Sequence, residues 1–113
     1  MTLATIPNPH DGAVKQQHTI PVPALCPVSQ NPAQGSKIII SYTGHDALLD
    51  VTTIPPYIAA FHGSQVARDL ERFAAQVGHD VAVLVGSTVT IVGEFVLTDG
   101  QLLRCELKVS HLG

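Results

Sequence analysis

The fold of this chain is decided by the stretch 88–109, whose sequence is TVTIVGEFVLTDGQLLRCELKV. At its centre, Asp99-Gly100 is a dipeptide typical of tight β-hairpin turns, because both residue types tolerate a positive φ angle. After the turn, apolar and charged residues alternate, as they do in a strand with one buried face. Before it, 88–97 is rich in β-branched residues, and Gly93 predicts a bulge. The stretch therefore predicts an antiparallel hairpin with Cys105 on its buried face.

Further strands are predicted upstream of this hairpin. Segment 37–42 contains three consecutive isoleucines and is followed by Gly44, which predicts a strand that ends there. Segment 14–24 contains prolines, which a sheet tolerates on an edge strand or at a bulge, so we expect it to form an edge strand. The short apolar run 81–85 is predicted to be a strand that continues into 88–97 after Gly86-Ser87.

Two helices are predicted between these strands. Pro55-Pro56 suits the first turn of a short helix over 55–61, with Thr53 as a candidate N-cap. Farther along, apolar residues recur at helical spacing between Ser64, a candidate cap, and Gly78, which we expect to end the second helix. The fold class predicted from this order is α+β, with a four-stranded antiparallel sheet in the order β-β-α-α-β-β and both helices on one face.

The composition adds expectations about domains and partners. Residues 1–13 are expected to form a flexible leader and 14–113 a single domain. Charged residues make up 13% of the chain, against about 25% in a typical domain. Such sparse charge predicts a homo-oligomer, and the uncovered face of the predicted sheet suggests that subunits close their sheets into a barrel.

Charge and hydropathy also exclude several classes of partner. The net charge is −3 and the six Lys and Arg residues are scattered, so we expect no direct nucleic-acid binding. No apolar run is long enough to span a membrane, and the N-terminus lacks a signal-peptide pattern. We therefore expect a cytoplasmic protein without a membrane partner. The histidines lack the spacing of a metal site, so no metal is expected.

A cysteine lies in the proline-rich segment 24–32, whose sequence is ALCPVSQNP. Pro27 fixes the backbone directly after Cys26, in a loop between two predicted strands. A cysteine held in this way can act as a nucleophile if its surroundings lower the thiol pKa. It can equally be a small buried apolar residue. The sequence leaves both interpretations open.

The segment 24–32, followed by 37–42 and by the phrase YIAAF at 57–61, resembles the tunnelling-fold (T-fold) proteins, and among them the QueF family. This family comprises 7-cyano-7-deazaguanine reductases and QueF-like amidinotransferases. The resemblance covers residues 18–109. It implies a T-fold, and it implies that Cys26 adds to the nitrile carbon of 7-cyano-7-deazaguanine to form a thioimide. It also places Ser29 beside the substrate.

Several positions depart from the family pattern. Ala33 stands where the family has an acidic Asp, and 50–53, DVTT, stands where the reductases have a nicotinamide-binding Glu-Ser-Lys-Ser. No cofactor is therefore expected, and NADPH-dependent reduction is disfavoured. The family's purine-anchoring Glu is expected near 64–66, where Gln65 offers a neutral amide instead.

Other candidate site residues follow from the same resemblance. Asp50 is a candidate replacement for the missing acid, although an Asp in that place is also typical of a helix cap. His62 is a candidate substrate-binding residue beside Gln65, with simple exposure as the alternative. Glu94 is a further candidate, provided that Gly93 forms a bulge that turns it toward an inter-subunit site.

Three functions remain open from the sequence. The first is a QueF-like enzyme that passes the thioimide to a non-hydride acceptor such as ammonia, an amine or water. The second is a non-catalytic T-fold domain that binds a purine, deazapurine or pterin. The third is a purely structural barrel subunit.

Overall fold

A four-stranded antiparallel sheet forms the centre of the protein, which the computed structural model describes from residue 2 to residue 111. Its strands follow the spatial order β2-β3-β5-β6. Their bounds are Val14–Pro21 (β2), Lys37–Gly44 (β3), Val89–Val96 (β5) and Leu102–Val109 (β6). The predicted α+β class and the edge position of the first long strand are confirmed. The Asp99-Gly100 turn joins β5 to β6, with Gly100 at φ 93°.

The two faces of the sheet have different environments. Alternate residues on one face are fully buried, among them Ile38, Ile40 and Ile91. Residues on the other face, such as Lys37 and Glu94, remain half-exposed or exposed. This difference arises because both α-helices pack on the first face, as predicted.

Gly93 does not form the predicted bulge. The pairing of β5 with both neighbouring strands is uninterrupted at Gly93, which lies opposite Ile38 on β3 and Cys105 on β6. The Phe95 ring occupies the space that a side chain at position 93 would need, so the glycine is explained by packing.

A second, two-stranded sheet involves residues that the sequence analysis assigns to a flexible leader. Strand β1 (Thr5–Pro7) pairs antiparallel with β4 (Ala47–Leu49). The Ala4 N–H also donates to Thr53 Oγ1 at 3.2 Å. Residues 5–7 are therefore ordered by long-range pairing, which a local reading of the sequence does not detect.

The second helix differs most from its prediction. Ser64 caps a short 3₁₀ helix, Gln65–Arg68, and helix α2 begins only at Leu70. It continues through Gly78 to Val85 and ends at Gly86, which has a left-handed φ of 68°. The predicted strand at 81–85 is therefore wrong, because these residues form the last turns of α2. Helix α1, Ile54–Ala59, agrees with its prediction, although the Thr53 side chain makes no cap hydrogen bond.

Aromatic rings connect the two helices to the sheet. Phe61, just after α1, contacts Tyr57 and Phe73 edge-on, with ring centroids 5.2 Å and 5.1 Å apart. Phe73 on α2 in turn lies 6.4 Å from the ring of Phe95 on β5. This aromatic row fixes α1 and the turn after it against the core, and that turn adjoins the candidate site.

Gly78 is expected to be required for the packing of α2 on the sheet. A Cβ there would lie 2.7 Å from Val109 Cγ2 and 3.0 Å from Ile91 Cγ1. Overpacking of this kind costs about 1–3 kcal/mol, against a gain of about 1 kcal/mol in helix propensity. We expect Gly78→Ala to lower the free energy of unfolding in urea by about 1 kcal/mol. In a Val109→Ala background the loss should be at most half as large, and an equal loss there would refute the packing explanation.

Candidate active site around Cys26

The loop after β2 holds Cys26 in a closed turn. The Gln30 N–H donates to the Cys26 carbonyl at 2.9 Å, and the Cys26 N–H donates to the Asn31 carbonyl at 3.0 Å. Gln30 adopts a positive φ of 61°, which non-glycine residues seldom do. The backbone at the cysteine is therefore fixed by its own turn.

Two distant segments hold this turn in place. On one side, the Gly63 N–H donates to the Leu25 carbonyl at 2.8 Å, and His62 Nδ1 donates to the Ala24 carbonyl at 3.0 Å. On the other, the Asn31 side-chain oxygen accepts from the Thr98 N–H of the β5–β6 connection at 2.8 Å. The His62 side chain thus supports the loop by bonding to a backbone carbonyl of the loop.

The Cys26 thiol is half-exposed, and its surroundings favour the thiolate. Hydrogen bonding from Ser29, through its side chain and then its backbone, lowers the pKa of the Cys26 thiol, with further contributions from the Val28 backbone and the Arg68 charge. The Ser29 N–H lies 3.4 Å from the sulfur. Ser29 is therefore in contact with the cysteine through hydrogen bonding.

A cavity of about 210 Å³ opens next to Cys26. It combines polar and charged side chains with apolar walls. Its lining residues are Cys26, Ser29, Asn31, Ala67, Arg68, Asp69, Leu70, Glu71, Leu97 and Leu103. The donor and acceptor groups suit hydrogen bonds to a heterocycle, and the leucines suit contact with its faces.

A second cavity, of about 110 Å³, also reaches Cys26. It is lined by Cys26, Pro27, Val28, Gly63, Ser64 and Arg68. Cys26 and Arg68 line both cavities, and the Arg68 charge contributes to the lowered pKa of the Cys26 thiol. We refer to these as the larger and the smaller cavity.

A groove of about 630 Å³ elsewhere on the protein does not include Cys26. Its walls are mostly aliphatic and proline side chains, and Ala33 is among them. Position 33, where the resemblance would place an acid, therefore lines a groove other than the two cavities of Cys26.

The remaining predicted site residues are placed as follows. Asp50 caps the 3₁₀ helix Val51–Thr53, with Oδ1 accepting from the N–H and the hydroxyl of Thr52 at 3.0 Å and 2.7 Å. Gln65 lies exposed in its 3₁₀ helix and lines neither cavity. Glu94 lies on the sheet face away from the helices, 3.4 Å from Lys37 Nζ and 3.7 Å from Arg104 Nε. None of the three is brought to Cys26 within this chain.

Three charged residues of the larger cavity were missed by the sequence analysis, namely Arg68, Asp69 and Glu71. A single helix starting at Ser64 would place them on a solvated face. In the structure the break at Asp69, between the 3₁₀ helix and α2, turns this segment toward the Cys26 loop. The alternation of charged and apolar residues gave no sign of that break.

Cys105 provides a contrast to Cys26. It is half-buried on the helix-covered face of the sheet, and burial raises the pKa of its thiol. The prediction that Cys105 packs with the core is confirmed.

Within residues 2–111, no group of three or more His, Cys, Asp or Glu side chains is arranged to hold a metal ion. Within the same residues, none of the helices has the length and apolar character needed to cross a membrane. In comparisons with known families and with curated proteins, no family model and no curated sequence matches the chain.

Proposed function

We propose that this chain is a QueF-like enzyme of 7-deazaguanine metabolism. In this proposal Cys26 adds to the nitrile of 7-cyano-7-deazaguanine, and the resulting thioimide passes to ammonia, an amine or water. The observation that carries the proposal is the half-exposed Cys26 thiol, whose pKa is lowered, beside a cavity that also contains two carboxylates.

The chemistry of the proposed first step suits this thiol. The thiolate forms a bond to the nitrile carbon, one C–N π bond is lost, and the nitrogen takes up the proton that the thiol released to solvent. In the second step the acceptor attacks the same carbon and the C–S bond breaks, which returns the thiol. A lowered pKa raises the fraction of thiolate near neutral pH and so favours the first step.

The larger cavity supports a guanine-like ligand. The edge of such a ring carries N–H donors, and an ionised carboxylate accepts two of them in a charge-assisted pair. Asp69 and Glu71 both line the cavity, so a neutral amide at Gln65 is not needed for this contact. We assign the donor edge of the ring to these carboxylates.

We further propose that the working form is a homo-oligomer with the site at a subunit boundary. The larger cavity, at about 210 Å³, is smaller than the roughly 300–1,000 Å³ typical of ligand sites. Val28, which lines the smaller cavity, is 91% exposed, and Leu102, on the open face of the sheet, is 81% exposed. A second subunit would cover these side chains and enlarge the enclosed volume. Sheets closing edge to edge into a T-fold barrel would provide that second wall.

A second candidate is a domain that binds a purine, deazapurine or pterin without turnover. The two carboxylates favour it, because they can accept hydrogen bonds from such rings without any reaction at sulfur.

The proposal is tested by the intact mass of the protein after incubation with 7-cyano-7-deazaguanine. We expect a gain of one ligand mass in the wild type and in Cys105→Ala, and none in Cys26→Ala. Thermal stabilisation by the ligand in both the wild type and Cys26→Ala, without a mass gain, would establish binding without turnover. If the ligand causes neither a mass gain nor thermal stabilisation, both candidates are contradicted and a structural subunit is favoured.

A further inference from the structure

The two cavities that meet at Cys26 differ in charge. Asp69 and Glu71 line the larger cavity together with Arg68. In the smaller cavity Arg68 is the one charged lining residue among those that the structure describes. The carboxylates disfavour a negative group in the larger cavity, whereas the guanidinium favours one in the smaller.

Arg68 is free to bind such a group. Within residues 2–111, the ion pairs involve Lys37 and Arg104 as cations, and none engages Arg68. Its neighbour in the smaller cavity, Ser64, uses its oxygen to accept from the Val66 N–H at 3.2 Å, which leaves the hydroxyl hydrogen to donate. A guanidinium and a hydroxyl are suitable donors for a carboxylate or phosphate.

We propose that the smaller cavity is an anion subsite, in which Arg68 holds a carboxylate or phosphate group of a ligand directly beside the Cys26 sulfur. This subsite does not depend on nitrile chemistry. If the nitrile ligand occupies the larger cavity, as in the proposed function, the smaller one is left to the second reactant, and among the proposed acceptors its charge favours an amine that carries an anionic group.

The subsite is tested by comparing two alkylating agents of similar size, anionic iodoacetate and neutral iodoacetamide. Rates are measured on the full chain in a Cys105→Ala background, at a pH where Cys26 is fully ionised, and their ratio is compared with that of 2-mercaptoethanol. We expect the iodoacetate-to-iodoacetamide ratio at Cys26 to exceed the reference about fivefold, the factor given by one nearby charge in water. High salt should reduce this preference.

Arg72 provides a matched control, since it is exposed on α2 and lines neither cavity. Arg68→Gln should return the ratio to the reference, whereas Arg72→Gln should leave it unchanged. With both arginines intact, inorganic phosphate should slow iodoacetate more than iodoacetamide in the Cys105→Ala background. A ratio equal to the reference with both arginines intact, or equal losses in the two arginine variants, would overturn the subsite. A positive result here without a nitrile adduct would retain the subsite and reject the proposed enzyme.

Discussion

Phe73→Ala is expected to remove about 3–5 kcal/mol from the free energy of unfolding, the typical cost of deleting a buried phenylalanine. Phe73 is fully buried, and its ring contacts Phe61 and Phe95. Edge-on aromatic pairs contribute about 0.5–1.5 kcal/mol beyond the area that they bury. Small domains have a total stability of about 5–15 kcal/mol, so this loss is a substantial fraction of the total.

Urea denaturation checks this expectation, with Val83→Ala as the control. Val83 lies on the same helix and is 58% exposed, so its truncation should change stability by at most about 0.5 kcal/mol. Should Phe73→Ala fail to fold, Phe73→Leu keeps most of the volume, and a loss of about 1.5 kcal/mol is expected. A loss below about 1 kcal/mol for Phe73→Ala would mean that the aromatic row does not hold the helices to the sheet.

Cys26 is expected to react with iodoacetamide faster than Cys105 at pH 7, as measured by mass spectrometry of the alkylation at each thiol. The Cys26 pKa is lowered by hydrogen bonding from Ser29, so its thiolate persists to lower pH than that of an ordinary cysteine. The Cys105 pKa is raised by burial, so its thiolate forms at higher pH. Because the thiolate is the nucleophile, both shifts favour Cys26, and equal rates at the two thiols would contradict the prediction.

The pH dependence of the alkylation rate tests the direction of the Cys26 pKa shift. The midpoint of the Cys26 alkylation rate should lie below that of a small thiol, and Ser29→Ala should move it upward. Ser41→Ala is the control, because Ser41 lies on β3, lines neither cavity and does not contribute to the Cys26 pKa shift. An unshifted midpoint in Ser29→Ala would show that the Ser29 side chain does not activate the thiol.

Local sequence patterns predicted most of the sheet. The Asp99-Gly100 turn and the alternation after it need only neighbouring residues, so β5, β6 and their connection were recognised. The end of helix α2 was predicted at the wrong residue, because the sequence contains two glycines, Gly78 and Gly86, that could each end it. Gly78 is inside the helix for a tertiary reason, contact with Ile91 and Val109, and only Gly86 adopts the left-handed conformation. The apolar run 81–85 is equally compatible with helix and strand.

The candidate site was predictable only in part for the same reason. Cys26 and Ser29 are three positions apart in one loop, and their proximity follows from the turn itself. Arg68, Asp69 and Glu71 come from a segment some forty residues later, and their arrival beside Cys26 depends on how the 3₁₀ helix meets α2. Asp50 caps the 3₁₀ helix Val51–Thr53, and a helix cap is the more ordinary of the two roles predicted for it.

The hydrogen bonds that hold the Cys26 loop come from Gly63 and Thr98, which lie far along the chain from the cysteine and from each other. Unfolding that separates these segments from the loop removes the supports on both sides of the turn. The place of the Cys26 sulfur beside the two cavities is therefore a property of the whole fold, and it lasts only as long as the contacts with both distant segments last.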